Sequence, residues 1–187
     1  MTDKRKAILK ATLKLISENG FHGTPMSQIA EEADVGAGTI YRYFESKEVL
    51  IHELFLEVKR EISQAMLSDI SPEGSTEEIF RQAWLNTFNF CLQNPQEMIF
   101  LEQFYNSPFQ TPETEAATLE YLAPAISVFQ KAVEAGELKD MPFEMLTMFV
   151  HDVTVASAKR HISGALVMDE TKLEIVVQAC WDAVKAN

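Results

Sequence analysis

Apolar residues recur at helical spacing along most of the chain. In the first predicted helix, over residues 4–18, Ile8, Leu9, Leu15 and Ile16 fall on one side of the helix. The strict alternation of half-buried strands is hard to find, and the seven glycines and seven prolines fall between periodic stretches. The pattern therefore predicts an all-α protein of about nine helices.

Capping residues and helix breakers set the predicted boundaries. Asn19-Gly20 ends the first helix, Ser75 and Glu78 form a capping box, and Asp169 caps the last helix. The further predicted helices span 26–33, 38–44, 47–69, a segment opening at 75, another opening at 95, and 112–135, 142–163 and 170–185.

Charge is distributed unevenly along the chain. The formal net charge of −12 by itself argues against nucleic acid as a partner. Residues 1–48, however, hold seven basic and seven acidic side chains, so the whole acidic surplus falls in residues 49–187. A locally basic end joined to an acidic body suggests two modules with different partners.

Several classes of protein are excluded by composition. Cys91 and Cys180 stand far apart, which argues against a zinc ribbon, a CxxC redox site or a disulfide scaffold. No apolar run approaches the ~18 residues of a membrane span, and the N-terminus carries no apolar signal segment. We therefore expect a cytoplasmic protein that does not associate with membranes.

The segment from Met26 to Phe44 carries the most specific pattern. Two short helices that cross over a tight turn need a shared apolar face, a small residue at the crossing and a turn that accepts unusual backbone angles. Ala30 is small enough for the crossing, and Asp34 is among the residue types that adopt left-handed backbone. The apolar faces are supplied by Ile29, Ala33, Val35, Ile40 and Tyr43, and flexible positions by Asp34, Gly36 and Gly38.

This segment predicts a helix-turn-helix, with an ordinary helical hairpin as the alternative. The second helix is expected to bury Ile40, Tyr43 and Phe44 and to expose Tyr41 and Arg42, together with Thr39. Hydroxyl donors and a guanidinium suit phosphate oxygens and base edges, which favours the DNA-binding interpretation.

Residues 3–62 resemble the DNA-binding domain of the TetR family of transcriptional regulators. The positions that follow the family pattern are Ile8, Leu15, Gly20, Phe21, Thr24, Ile29, Ala30, Ala33, Val35, the run from Gly38 to Phe44, Ser46, Lys47 and Leu50. The resemblance covers about a third of the chain. It implies a head at 1–47, within a family domain reaching residue 62, and a ligand-binding and dimerisation domain at 48–187, with helix 47–69 connecting them.

The resemblance also implies roles for particular residues. Gly38–Phe44 would be the recognition helix, and Arg42 would read a guanine. Thr39, Tyr41 and Lys47 would contact the DNA backbone, with Thr24 or Ser27 on a phosphate. The full DNA-binding set expected is Thr24, Ser27, Gln28, Ala37, Gly38, Thr39, Tyr41, Arg42, Tyr43 and Lys47.

Two departures from the family pattern affect DNA contacts. Many members carry a hydroxyl and a cation where this chain has Gly36 and Ala37, so two phosphate or base contacts are lost here. The basic residues Lys4 to Lys6 either compensate as a DNA-contacting arm or form a solvated tail.

Aromatic residues concentrate in the acidic body. Twelve of the eighteen aromatics fall within residues 80–149, interspersed with four methionines. Such residues either pack as a core or line an adaptable pocket for a small hydrophobic or aromatic molecule, and the family holds a pocket in this region. The candidate lining is Trp84, Phe88, Phe104, Tyr105, Tyr121 and Phe149, with His151 or Asp152 as a polar anchor.

Metal binding and catalysis have little support in the sequence. His151 and His161 lie ten residues apart on one predicted helix, about 80° from a common face, so a structural or ligand-contacting role is favoured over a metal site. No Ser/His/Asp or Cys/His constellation has a supporting motif. We expect no enzymatic activity, no metal site and no cofactor.

The last two predicted helices are apolar on more than one side. Such a pair needs a partner, and TetR-family dimers pair these helices in a four-helix bundle; burial within one chain is the alternative. The sequence is therefore interpreted as a homodimeric, ligand-responsive regulator, most simply a repressor released from operator DNA. A constitutive DNA-binding protein and a helical small-molecule module are the alternatives.

Overall fold

A computed structural model describes residues 3–71 and 73–186, which form ten α-helices and one π-helical turn without any extended strand. The helices are α1 (Asp3–Asn19), α2 (Met26–Glu32), α3 (Ala37–Tyr43), α4 (Lys47–Met66), α5 (Thr76–Gln93), α6 (Pro95–Tyr105), α7 (Pro112–Glu134), α8 (Phe143–Thr147), α9 (Val153–Ile162) and α10 (Glu170–Val184). The π-helical turn at Met148–Asp152 joins α8 directly to α9. The all-α prediction is confirmed.

The single helix predicted over 142–163 is wrong in one respect, because the π-helical turn divides it. Hydroxyl groups compete for backbone carbonyls just after that turn: Thr154 Oγ1 donates to the Val150 carbonyl, and Ser157 Oγ donates to the Val153 carbonyl at 2.8 Å. Such bonds to the preceding turn bend helices, and one-turn π insertions are frequent at functional sites.

Helix α4 ends three residues before the predicted residue 69. The Ser68 hydroxyl donates to the Ala65 carbonyl at 2.9 Å, and the Ser68 N–H donates to the same carbonyl at 3.1 Å. The α-helical bond from residue 69 to that carbonyl is thereby displaced, and Asp69 turns into left-handed backbone with φ +54°.

The first of two compact units comprises the residues up to Arg60 together with Asn94–Leu119. Helix α1 packs against α2 and α6, and α2 packs against α3. The side chains of Ile8 and Ile16 on α1 and of Phe100 and Phe104 on α6 are fully buried. Helix α6 joins this unit from a distant part of the chain through its contact with α1.

The second compact unit comprises Glu61–Gln93 and the residues from Glu120 onward. Helix α5 packs against α9, α10 and the π-helical turn. The rings of Phe80 and Trp181 lie 5.5 Å apart, and a smaller cluster joins Met66, Ala83 and Ala125. An isolated antiparallel bridge between Leu138 and Lys185 ties the end of α10 to the loop after α7.

Side-chain caps begin α5 and α10 as predicted. Glu78 Oε2 accepts from the Ser75 N–H at 2.8 Å, and Asp169 Oδ1 accepts from the Lys172 N–H at 2.9 Å. The Ser75 backbone bond holds the pKa of Glu78 below its usual value, and the bonds from Lys172 do the same for the pKa of Asp169. In contrast, the residues that precede α2 and α3, Pro25 and Gly36, form no side-chain cap.

Among residues 3–71 and 73–186, no helix combines the length and apolarity required to cross a bilayer.

Candidate nucleic-acid interface

The α2–α3 pair has the predicted helix-turn-helix geometry. Ile29, Ala30 and Ile40 are buried between the helices. Asp34 adopts left-handed backbone with φ +51°, and the Val35 N–H donates to the Ala30 carbonyl at 2.9 Å, which closes the turn. The predicted flexibility of the turn is therefore used at Asp34, whereas Gly36 has an ordinary φ of −67°.

Helix α3 presents its polar side chains outward. Tyr41 is 56% exposed and Arg42 is exposed, while Ile40 and Phe44 are completely buried. Thr39 and Tyr43 are half-buried, and Ala37 and Gly38 are exposed. Because Gly38 has no atom within 4 Å of an added Cβ, a neighbouring surface can approach the backbone closely here.

Thr24 is not available to a phosphate, which corrects one member of the predicted set. Its side chain is completely buried, and its Oγ1 donates to the Gly20 carbonyl at 2.8 Å. This bond closes the turn after α1, where Gly20 has a left-handed φ of +73°. Ser27 and Gln28 are exposed in the first turn of α2, so of the two residues considered for this phosphate only Ser27 stays accessible.

Lys47 has a structural bond in addition to its predicted DNA role. Its Nζ donates to the Phe21 carbonyl at 2.5 Å, and burial lowers the pKa of the ammonium. Lys47 thereby connects the first turn of α4 to the turn that follows α1. The remaining N–H donors of this half-buried ammonium can still reach a phosphate.

The basic residues near the N-terminus belong to α1 and not to an extended arm. Arg5 forms an ion pair with Glu53, and its guanidinium lies 5.5 Å from the centre of the Phe44 ring. Lys4 and Lys6, by contrast, are exposed. Arg5 therefore stabilises the contact of α1 with α4, and the DNA-arm hypothesis is reduced to Lys4 and Lys6.

Two of the eight predicted effector residues lie in the first unit. Phe104 is completely buried and stacks on Phe55 with ring centres 4.0 Å apart and planes 9° from parallel. Tyr105, the last residue of α6, is 41% exposed and makes an edge contact with Phe55 at 6.1 Å. Its hydroxyl accepts a hydrogen bond from Lys59 Nζ at 3.1 Å, a contact that the sequence interpretation missed.

A series of neighbouring rings extends from Phe104 to the turn that follows α1. Phe104 lies 6.0 Å from Phe100, Phe100 lies 6.1 Å from Phe21, and Phe21 lies 4.9 Å from Phe109, measured between ring centres. We call Phe55, Phe104, Phe100, Phe21 and Phe109 the aromatic series. It includes Phe21, whose carbonyl accepts the Lys47 bond.

Trp84 and Phe88 form a separate pair in the second unit. Their rings are stacked 5.7 Å apart, and Phe88 also meets the His161 ring edge at 6.0 Å. Trp84 Nε1 is buried and has no oxygen or nitrogen acceptor among the residues that the structure describes. Burial raises the pKa of the nearby Cys180 thiol, an effect that the Trp84 N–H partly opposes.

The other four predicted effector residues are more exposed than Trp84 and Phe88. Tyr121 and Phe149 are half-buried, on α7 and the π-helical turn respectively. His151 Nδ1 lies 3.0 Å from Asp152 Oδ1, so the two proposed polar anchors contact each other, and Asp152 is exposed. The structure thus divides the eight residues between the two units instead of assembling them all within one.

His161 has a defined structural role. Its Nδ1 accepts from the Met168 N–H at 3.0 Å, which ties the loop after α9 to that helix. Across the described parts of the chain, no three His, Cys, Asp or Glu side chains are grouped as metal ligands.

Four large apolar residues are exposed at the end of α9, in the following loop and on α10. They are Ile162, Leu166, Val167 and Ile175, whose exposed fractions range from 42% to 62%. Exposed apolar residues that form a contiguous patch mark association surfaces.

Comparison with known families gives two matches that together cover most of the chain. Residues 8–54 match the family described as bacterial regulatory proteins, tetR family. Residues 76–185 match the family described as tetracyclin repressor-like, C-terminal domain.

Individual relatives agree with these matches. An uncharacterized HTH-type transcriptional regulator from Haemophilus influenzae is 32% identical over 107 residues, 57% of each chain. The HTH-type transcriptional repressor KstR from Rhodococcus jostii is 31% identical over 75% of this chain and 58% of its own length. The aligned part thus spans less than two thirds of either relative. The crystal structure of a TetR family regulator from Marinobacter aquaeolei superposes with a TM-score of 0.92 at 28% identity, covering 99% of this chain and 97% of that one.

Proposed function

Because the chain belongs to the TetR family of bacterial transcriptional regulators, we propose that it represses transcription by binding operator DNA and is released by a small hydrophobic or aromatic molecule. The observation that carries this proposal is the outward face of α3. Tyr41 and Arg42 are exposed on a helix whose opposite side is anchored by the buried Ile40. The name of the relative KstR, a repressor, supports repression over activation.

We assign each exposed or half-buried group of this surface to a contact. Arg42 donates two hydrogen bonds to a guanine in the major groove, and Tyr41 and Thr39 contact the DNA backbone. Ser27 and Gln28 bind a phosphate at the start of α2, beside Lys47. Ala37, Gly38 and Tyr43 line the close approach of α3 to the groove.

In this proposal the head comprises residues 1–47, and the remainder forms the ligand-binding and dimerisation domain. The regulator acts in the cytoplasm.

The functional unit in this proposal is a homodimer formed through α9 and α10. The exposed residues Ile162, Leu166, Val167 and Ile175 supply an apolar surface for it. A two-fold dimer also gives two recognition helices the spacing of ~34 Å between DNA half-sites. We expect Ile175→Glu to shift the protein from dimer to monomer in sedimentation, whereas the exposed α7 variant Leu119→Glu should leave the dimer intact.

Release from DNA is proposed to follow from a population shift. A ligand that prefers one orientation of α4 by ~1–3 kcal/mol reduces operator affinity about 5–150-fold. The aromatic series supports this route, since ring contacts connect Phe104 through Phe100 to Phe21, whose carbonyl accepts the Lys47 bond. Trp84→Phe should change the response to an inducer more than it changes DNA binding.

Fluorescence anisotropy with the DNA upstream of the protein's own gene tests the proposal. The wild-type protein should bind this duplex at low ionic strength, and Arg42→Ala should bind it more weakly. The exposed variant Glu45→Ala, beyond the end of α3, is the matched control and should not lose affinity. Failure of the wild-type dimer to bind this DNA, or any duplex at low salt, would contradict the proposal.

A further inference from the structure

Lys59 is a buried basic residue inside the first unit. Only 7% of it is exposed, and it lies on α4 between the buried residues Phe55 and Ile62. Its Nζ donates to the Tyr105 hydroxyl at 3.1 Å and lies 5.9 Å from the centre of the Tyr105 ring. The Tyr105 hydroxyl is a neutral acceptor, so the charge of the ammonium is not balanced by this bond.

Two carboxylates on the same helix form ion pairs with arginines. Glu53 pairs with Arg5, and Glu57 pairs with Arg60 at 2.6 Å. Within residues 3–71 and 73–186, Lys59 forms no ion pair with a carboxylate. An ammonium has three N–H donors, and taking it out of water without a counter-charge is costly. Lys59 therefore provides a preformed position for an anion.

The groups around Lys59 indicate what that anion is attached to. Phe55 and Phe104 form a stacked aromatic wall, and Tyr105 covers the ammonium from the end of α6. Because Tyr105 is 41% exposed and touches Phe55 and Phe104 only by ring edges, its side chain can turn outward with little loss of packing. The opened space would have one cation at the base of apolar walls.

We propose that Lys59 binds the carboxylate of a hydrophobic carboxylic acid, which is the effector of this regulator. This inference rests on the proposed function, since it names the chemical class of the inducer. The carboxylate replaces or shares the Tyr105 hydroxyl as the acceptor of the Lys59 N–H groups, and the apolar body of the acid lies against Phe55 and Tyr105. A charge-assisted bond in a largely dry environment discriminates an acid from its uncharged analogue.

Isothermal titration calorimetry of the purified protein tests the proposal with octanoate, decanoate and 2-naphthoate, each compared with its primary amide. At least one acid should bind the wild-type protein about tenfold or more tightly than its amide. Lys59→Met should abolish this preference, and Lys59→Arg should retain part of it. Lys131→Met, at an exposed position of α7, is the matched control and should keep the preference.

Two further measurements make the outcome decisive. Lys59→Met should raise the melting temperature of the free protein, because it removes an unbalanced buried charge; a lower melting temperature would assign Lys59 a structural role and contradict the proposal. Inorganic phosphate at the same concentration should not compete with the acid, since it lacks an apolar body. Equal binding of acid and amide, or no binding of any acid, overturns the inference. The proposed DNA binding is tested separately by anisotropy, so its failure and the failure of this inference are distinguishable.

Discussion

Arg42 on α3 and Lys59 on α4 show how position decides what a cation does. Arg42 is exposed, keeps its hydration and is free to meet a phosphate or a base edge when DNA arrives. Lys59 is 93% buried by apolar neighbours and one tyrosine, so its partner must be a small anion whose shape fits the surrounding side chains. A surface cation thus contributes to the recognition of a large polyanion, whereas a buried cation selects a small anion.

The largest expected effect tests the buried side of this comparison. Phe104→Ala removes a fully buried ring that stacks on Phe55, and we expect it to lower the free energy of unfolding by about 3–5 kcal/mol. Urea denaturation followed by circular dichroism measures this loss. Leu119→Ala, at a 53% exposed position, should stay within about 0.5 kcal/mol of the wild type. A small loss at Phe104 would mean that the aromatic series is not a packed core.

The next largest effect concerns the exposed cation, Arg42, and its contribution to DNA binding. Arg42→Ala should weaken operator binding by about 1–3 kcal/mol and relax specificity at one base position, because a bidentate contact with guanine is lost. Anisotropy titrations across single-base operator variants measure both quantities. If the variant keeps the selectivity of the wild type, Arg42 does not read a base.

Lys47 combines the two behaviours and should give a smaller effect. Lys47→Met removes the bond to the Phe21 carbonyl, which should cost roughly 0.5–1.5 kcal/mol of unfolding free energy. It should also weaken binding to every DNA sequence alike and reduce the slope of log affinity against log salt by about one. An unchanged slope together with lower stability would make the role of Lys47 purely structural.

The smallest effect concerns the caps, which distinguish α5 and α10 from the uncapped α2 and α3. The pKa values of Glu78 and Asp169 are lowered in the folded protein, so their stabilisation is present above their ordinary pKa values and is lost as the pH falls through the folded ones. Glu78→Gln and Asp169→Asn should therefore lower the melting temperature at pH 7 and change it little at about pH 2. The exposed control Glu134→Gln should leave the melting temperature at pH 7 close to that of the wild type.

Local sequence patterns predicted the helix-turn-helix well. The alternation that buries Ile40 and Phe44 and exposes Tyr41 and Arg42 is a property of one helix turn, and the left-handed turn at Asp34 follows from its residue type. The family resemblance implies Thr24 or Ser27 as a phosphate contact. The resemblance does not show that the Thr24 side chain is buried or that its hydroxyl donates to the Gly20 carbonyl.

Long-range packing decided what the aromatic-rich segment does. Its composition could not show that Phe104 and Tyr105 belong with α4 in the first unit, or that Trp84 and Phe88 pair in the second. The sequence also did not identify Lys59 as a buried residue, since a lysine within an amphipathic helix normally lies on the solvated side. The division of residues 143–162 by a π-helical turn likewise depends on side-chain bonds that periodicity does not register.

The sequence by itself determined the helices, the turn between α2 and α3 and the family, because these depend on residues within a few positions of one another. Only the tertiary structure decided which side chains are withdrawn from solvent: Thr24 and Lys59 are buried polar residues, and Lys59 contacts Tyr105, 46 residues further along the chain. Burial is a property of the assembled chain, and it converts the same hydroxyl or ammonium from a surface contact into an internal bond or a ligand-binding charge.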